Sequence, residues 1–201
     1  MIVLPAAIEP RAFDELHDDP ARWQDVVASI AAAFSDAPAR PVGDGTADRL
    51  PRWDTFLASQ RQRCRRRQQR TGLPARLLER LETFLEGDVP AGSAVILTGE
   101  YTPMNLLHGP GGIVGMFDFG DGLVGPREYD WLGPLCFLAA GHAARCDAFF
   151  AGYGVAFDRR WRLPLLRLLL LHRYSALRLQ IAHPGWEQAP DFEALAALIW
   201  P

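Results

Sequence analysis

Apolar residues recur at helical spacing along most of this chain and give way to short β-branched runs only near its middle. Asp19 as cap and Pro20 at the first helical position open a helix whose Trp23, Val26, Val27, Ile30 and Phe34 follow the i, i+3, i+4, i+7 pattern and which stops before Pro38. Residues 35 to 49 are rich in Pro, Gly and Asp and read as a loop. A second helix follows Pro51, with Trp53, Phe56, Leu57 and Cys64 on one face, and Gly72 ends it. A third, from Pro74 to about Glu86, buries Leu77, Leu78, Leu81, Phe84 and Leu85, and Gly87 closes it. Ala94 to Leu97 and Ile113 to Phe117 predict short strands, with Gly109 to Gly112 as the turn between Leu107 and Ile113. Beyond Pro126 the 3.6-residue period returns, with Leu132, Leu135, Cys136 and Ala139 on one face and Phe149, Phe150 and Tyr153 on a shorter one. A long helix from about Arg159 to Ile181 is apolar nearly all round in its first half and reads as the central buried helix. Its arginines keep every apolar run below the roughly 18 residues of a membrane span, so no membrane partner is expected. His183-Pro-Gly ends it, and a last helix, about Asp191 to Ile199, packs Phe192, Leu195, Leu198 and Ile199.

Composition narrows the picture. A chain of 201 residues can bury one sizeable core, so one domain is the default. The formal net charge is −3, and all 21 cations are arginine, because the sequence contains no lysine. Arg61, Arg63, Arg65, Arg66, Arg67 and Arg70 crowd the second helix; without interleaved aromatics in an acidic chain they read as a solvated face, and no nucleic-acid partner is expected. Cys64, Cys136 and Cys146 form neither a C-x-x-C pair nor an even set, which indicates neither a zinc site nor a disulfide framework. The N-terminal apolar run has no basic residues before it and is cut short by Glu9 and Pro10, so a cytoplasmic protein is expected. His17, His108, His142, His172 and His183 show no H-x-x-x-H pairing and read as core or surface residues.

Candidate chemistry gathers between Leu97 and Asp130, in LTGEYTPMNLLHGPGGIVGMFDFGDGLVGPREYD. Glu100 and Asn105 are followed by Asp118, and Asp118 at once by Phe119 and Gly120. In kinase-type phosphoryl transfer a loop of form H-x-D-x-x-x-x-N supplies a carboxylate for the acceptor hydroxyl and an amide for magnesium, and a later Asp-Phe-Gly supplies a second metal ligand. Glu100, Asn105 and Asp118 stand at those three positions. Gly120 to Gly125 also spells G-x-G-x-x-G, but too few strands precede it for a dinucleotide fold, and Pro126 falls where the helix should be running. Asp121 and Asp130 read as structural, capping a helix or bracing the loop.

This stretch resembles the aminoglycoside phosphotransferase and choline kinase-like small-molecule kinases, whose signature runs H-G-D-x-x-x-x-N, then I-D-F-G-D, then G-D-P-x-x-D-L. It agrees at Gly99, Pro103, Asn105, Leu106, Asp118, Phe119, Gly120, Asp121, Gly125, Pro126, Tyr129 and Asp130. Thr98 stands for the family's His and Glu100 for its catalytic Asp, and the Asp expected before Pro126 is replaced by Gly125. The resemblance implies an α+β, mostly helical C-terminal lobe of a protein kinase-like fold, with a small β-hairpin carrying the catalytic-type loop. Residues 1–5 would be hinge-like, 6–90 helical, 94–125 the loop and hairpin, and 126–201 helical again, with the N-terminal nucleotide lobe outside the chain. It further implies Glu100 as proton acceptor, Asn105 and Asp118 as magnesium ligands, structural support from Gly99, Gly120, Asp121 and Asp130, and weakly bound ATP with a hydroxyl-bearing small molecule as substrates. The substitutions at Thr98 and Glu100 and the absent lysine leave a second reading open, a kinase-like binding module for a small ligand or partner chain. An N-lobe or partner chain would then complete the site.

Overall fold

The computed structural model describes residues 27–28, 49–92, 94–99, 102–109, 112–116 and 118–201, with the backbone alone at 103, 106–109 and 112–116. Most of the first predicted helix and of the 35–49 loop, and the hinge-like residues 1–5, lie outside the described residues, as do Glu100 and Phe117.

Helix α1 (Trp53–Arg70) runs where the second predicted helix was expected, and buries Phe56, Gln60, Cys64 and Gln68. The predicted third helix is two short ones, α2 (Ala75–Glu79) and α3 (Leu81–Leu85). At Arg80 the backbone relaxes into a tighter turn, its N–H donating to the Leu77 carbonyl at 3.1 Å. The break costs no burial, because Leu77, Leu81, Phe84 and Leu85 all still face inward.

Four strands follow: β1 (Ala94–Leu97), β2 (Leu106–Gly109), β3 (Gly112–Met116) and β4 (Leu123–Pro126). β2 and β3 form the expected hairpin, with a register shift between Leu107 and His108. β1, however, pairs antiparallel with β4, Ala94 facing Pro126 and Leu97 facing Leu123. β4 is the strand that the G-x-G-x-x-G spacing concealed. Gly125 belongs there because a Cβ at this position would lie 2.5 Å from the Trp53 ring.

Helices α4 (Glu128–Phe137), α5 (Ala143–Gly152), α6 (Arg162–Leu171), α7 (Leu177–Gln180) and α8 (Phe192–Ile199) complete the described part. α6 is the central buried helix, with Leu165, Leu166, Leu168, Leu169, Leu170 and Leu171 all buried. Against it pack α1, α4 and α8. Trp131 meets Phe150 and Trp161 at ring separations of 5.5 Å, closing the core on the α5 side. Asp191 caps α8 by accepting from the Ala194 N–H at 2.8 Å, and the Trp200 indole donates to the Leu135 carbonyl at 3.2 Å.

The predicted helix from Arg159 to Ile181 is interrupted after Leu171. His172 takes an extended ψ of 140°, and a turn over His172 to Ala176 separates α6 from α7. The carbonyls thereby left over at the end of α6 are met from α1. The Leu170 carbonyl accepts from Gln68 at 2.9 Å, Arg67 at 3.1 Å and Cys64 at 3.2 Å, and Gln68 also donates to the Ser175 hydroxyl at 2.8 Å. This polar seam fixes the turn relative to α1. Cys64, Cys136 and Cys146 are buried thiols, each pushed above its usual pKa chiefly by burial, Cys64 to about 11. Among the described residues no helix is long and apolar enough to cross a membrane.

Candidate active site

The loop that follows β1 is held from behind. Asp130, in the first turn of α4, is buried and accepts three hydrogen bonds: from the Thr98 N–H at 2.8 Å, the Gly99 N–H at 3.1 Å and the Thr98 hydroxyl at 3.2 Å. Burial raises its pKa from 3.8 to about 6, against the opposing pull of those donors. Two consecutive backbone N–H groups on one carboxylate orient the peptide that leads directly into residue 100.

Gly99 is required by the same geometry. Its φ is +82°, and a Cβ there would lie 2.0 Å from the Asp121 carbonyl oxygen. The pairing of Leu97 with Leu123 brings these two segments together, two residues past the end of each strand's ladder.

Asp121 is the second fixed point. It forms an ion pair with Arg173 and accepts from the Tyr174 hydroxyl at 2.7 Å. Both partners belong to the turn that interrupts the helix after Leu171. The turn is secured in the core as well, since the His172 ring stacks on Tyr129 at 4.6 Å and the Arg173 N–H donates to the Tyr129 hydroxyl at 3.3 Å. His172 Nδ1 accepts from the Tyr174 N–H at 3.2 Å, and the ring also hydrogen-bonds the Gly99 backbone. Burial, reinforced by the Arg173 charge, lowers the His172 pKa to about 3, so the imidazole is neutral at ordinary pH. Sequence reasoning placed His172 among core or surface residues and gave Arg173 and Tyr174 only positions on the long predicted helix. The only signal was a polar His-Arg-Tyr triplet at the end of an apolar helix.

Asn105 closes a short 3-10 turn (Pro103–Asn105), its N–H donating to the Thr102 carbonyl at 3.0 Å. Leu106, the next residue, pairs with Met116, so the register puts Asn105 and Asp118 at the same end of the β2–β3 hairpin. Asp118 is exposed and has φ of +63°, a left-handed conformation that a non-glycine residue adopts at some cost. Its carboxylate accepts from the Gly120 N–H at 3.4 Å, and the Gly122 N–H donates to the Phe119 carbonyl at 3.2 Å, closing a tight turn. The structure thus bonds Asp130 to Gly99, packs Asp121 closely against Gly99, and sets Asn105 and Asp118 at one end of the neighbouring hairpin.

An amide oxygen and a carboxylate are a hard donor set that suits magnesium, which takes one or two protein ligands and completes its shell with water and phosphate oxygens. Among the described residues no group of three or more His, Cys, Asp or Glu could hold a metal. A divalent ion here would therefore depend on phosphate oxygens as much as on the protein.

A helical body around a buried central helix, with a hairpin and a carboxylate-braced loop at its edge, is the architecture of a kinase-like C-terminal lobe. The family model described as the phosphotransferase enzyme family matches residues 5–193, and the chain belongs to that family. Among solved structures it is similar to APH(2″)-IIa in its ternary complex with streptomycin and ATP, with a TM-score of 0.53 and 16% identity over 90% of this chain. It is similar also to the gentamicin complex of APH(2″)-IIa, with a TM-score of 0.53 and 14% identity over 85% of this chain. The chain spans 66% and 57% of the lengths of the chains in those two structures. A search of curated protein sequences gives no match.

Proposed function

We propose that this protein transfers the γ-phosphoryl group of ATP to a hydroxyl of a small molecule in the cytoplasm, with Asn105 and Asp118 as magnesium ligands and Glu100 as the proton acceptor. The observation that carries the reading is the Asp130 brace, which orients the peptide entering residue 100 while Asp121 and Gly99 lock the neighbouring turn against it. Phosphoryl transfer is mostly positioning and charge neutralisation, and this is positioning machinery. ATP-bound magnesium would neutralise charge on the transferred group. This chain's own contribution would be Asn105 and Asp118, which share one end of the β2–β3 hairpin, and Glu100, the residue after the braced Gly99, which would accept the proton of the acceptor hydroxyl. The streptomycin–ATP complex of a protein of similar fold supports the choice of nucleotide and of a small-molecule acceptor.

Catalysis should be slow. Glu100 in place of Asp extends the carboxylate by one methylene, a displacement of about 1 Å that can cost on the order of a hundredfold. The same substitution, with Thr98 in place of the family's His, favours the second reading, a kinase-like module that binds a small ligand or partner chain without turnover.

The test is calorimetric titration of residues 1–201 with ATP, with and without magnesium, alongside ADP release on a panel of hydroxyl-bearing metabolites. Weak nucleotide binding that requires magnesium and is abolished by Asp118→Ala is expected. Binding indifferent to both would sink the metal-ligand assignment. Metal-dependent binding with no turnover on any acceptor would favour the module without catalysis.

A further inference from the structure

The arginine cluster of α1 is not one solvated face. Arg65 turns to Glu82, with which it pairs at 2.6 Å, whereas Arg63, Arg66, Arg67 and Arg70 fall at i, i+3, i+4 and i+7 on another side. Four like-charged neighbour pairs result (63/66, 63/67, 66/70, 67/70), each mildly destabilising to the helix. Among the described residues none of these four guanidinium groups has an ion-paired carboxylate. They line hollows of about 470 and 510 Å³ that share Arg67 and Arg70, and Arg173 projects into the first from the turn after α6.

Arg67 is the anchor. It is half-buried, donates to Gln60 at 2.8 Å and to the Leu170 carbonyl at 3.1 Å, and leaves its buried Nε without a partner. Burial lowers its pKa and the Arg63 charge pushes in the same direction, so the site carries unneutralised positive charge in a partly desolvated place. Such a charge needs a counter-ion, and no described side chain provides one.

We propose that this groove binds a small polyanion bearing several phosphate groups. Guanidinium groups present forks that match phosphate oxygens two at a time. From Arg63 to Arg70 the stripe rises only about 10 Å, at about 1.5 Å per residue, the reach of a compact oligophosphate or a multiply phosphorylated metabolite. No aromatic residue is interleaved within residues 61–70, and Tyr174, the one ring lining these hollows, is tied to Asp121 through its hydroxyl, so the described residues offer no row of the stacking platforms a single-stranded nucleic acid would need. The site is separate from the nucleotide assignment and does not depend on phosphoryl transfer. It is joined to the candidate active site through Arg173, which also holds Asp121.

The experiment is isothermal titration of residues 1–201 with inorganic tripolyphosphate in low salt without magnesium. Three proteins are compared: the wild type, Arg66→Gln/Arg70→Gln, and a charge-matched control, Arg159→Gln/Arg160→Gln, on the short turn before α6. Among the described residues Arg66 and Arg70 are exposed and make no bond to the core, and their removal relieves three like-charged pairs, so that variant should unfold at or slightly above the wild-type midpoint. Saturable binding by wild type and control, weakened on the order of tenfold or more in Arg66→Gln/Arg70→Gln together with a shallower salt dependence, is the expected result. No saturable binding, or equal weakening in both doubles, would overturn the proposal. Tighter binding of an oligonucleotide than of tripolyphosphate would also overturn it, and make the groove a nucleic-acid surface.

Discussion

Asp130 gives the fold an unusual dependence on pH. Its pKa rises from 3.8 to about 6 in the folded protein, because burial outweighs the three hydrogen bonds it accepts. A carboxyl that is harder to ionise when folded binds more protons in the native than in the unfolded chain between pH 4 and pH 6. Stability must therefore fall as pH rises through that window, the reverse of an ordinary ion-paired carboxylate, and level off above it. A shift of about two pKa units corresponds to roughly 3 kcal/mol. Asp130→Asn removes the titration while keeping the side chain's size, although its amide nitrogen meets at least one of the backbone N–H groups and so lowers stability at every pH. Urea unfolding of both proteins at pH 4, 5, 6 and 7 isolates the term, since all other groups cancel in the difference. Wild type should lose roughly 2.4 kcal/mol relative to the variant between pH 4 and pH 7, since at pH 4 the unfolded carboxyl is already more than half ionised. A difference that stays flat over that range would refute the reasoning, and would mean that the carboxylate is better solvated than its burial indicates.

Gly99→Ala should lower stability by at least about 2 kcal/mol and melting by on the order of 5 °C or more in differential scanning calorimetry, because it combines a positive φ with a Cβ 2.0 Å from the Asp121 carbonyl oxygen. Leu169→Ala empties a fully buried position of the central helix and should cost about 2 to 5 kcal/mol in chemical unfolding. His172→Phe keeps the stack on Tyr129 but removes the acceptor for the Tyr174 N–H and the bond to Gly99; a loss of about 1 to 3 kcal/mol is expected, with faster amide exchange at Gly99 and Tyr174.

What was legible in the sequence depended on how local its cause was. α1, α6 and α8 were readable because their apolar periodicity lies within the element itself, as does the Asp191 cap of α8. The hairpin was readable because Gly109 to Gly112 mark its turn. β4 was not, since Leu-Val-Gly-Pro has little strand character and becomes a strand only by pairing with β1, some thirty residues earlier. The interruption at His172 was hidden for a related reason. Leu168 to Leu171 and Leu177 to Ile181 have continuous helical spacing, and the break is stabilised by Tyr129, Gln68 and Asp121, which belong to distant segments. Of the site, the spacing of Asn105, Asp118, Asp121 and Asp130 was visible in the sequence, while their partners in the turn after α6 were not.

Those partners change where the control of the site resides. Gly99 is gripped by Asp130 from α4, touched at its backbone by Asp121 from the turn before β4, and bonded by His172 from the end of α6. Two of these three grips depend on α6, because Asp121 is itself held by Arg173 and Tyr174 just beyond that helix. The carbonyl at the α6 end is in turn bonded by Cys64, Arg67 and Gln68 of α1. A small rotation of α6 relative to α1 would therefore move Gly99, and through Asp121 it would reach the adjoining Asp118–Gly122 turn as well. The arginine groove lies along this α1–α6 seam and shares Arg67 and Arg173 with it. An anion drawing on Arg173 would compete with Asp121 for the same guanidinium, which makes the seam the shortest route by which the groove and the braced loop can affect one another.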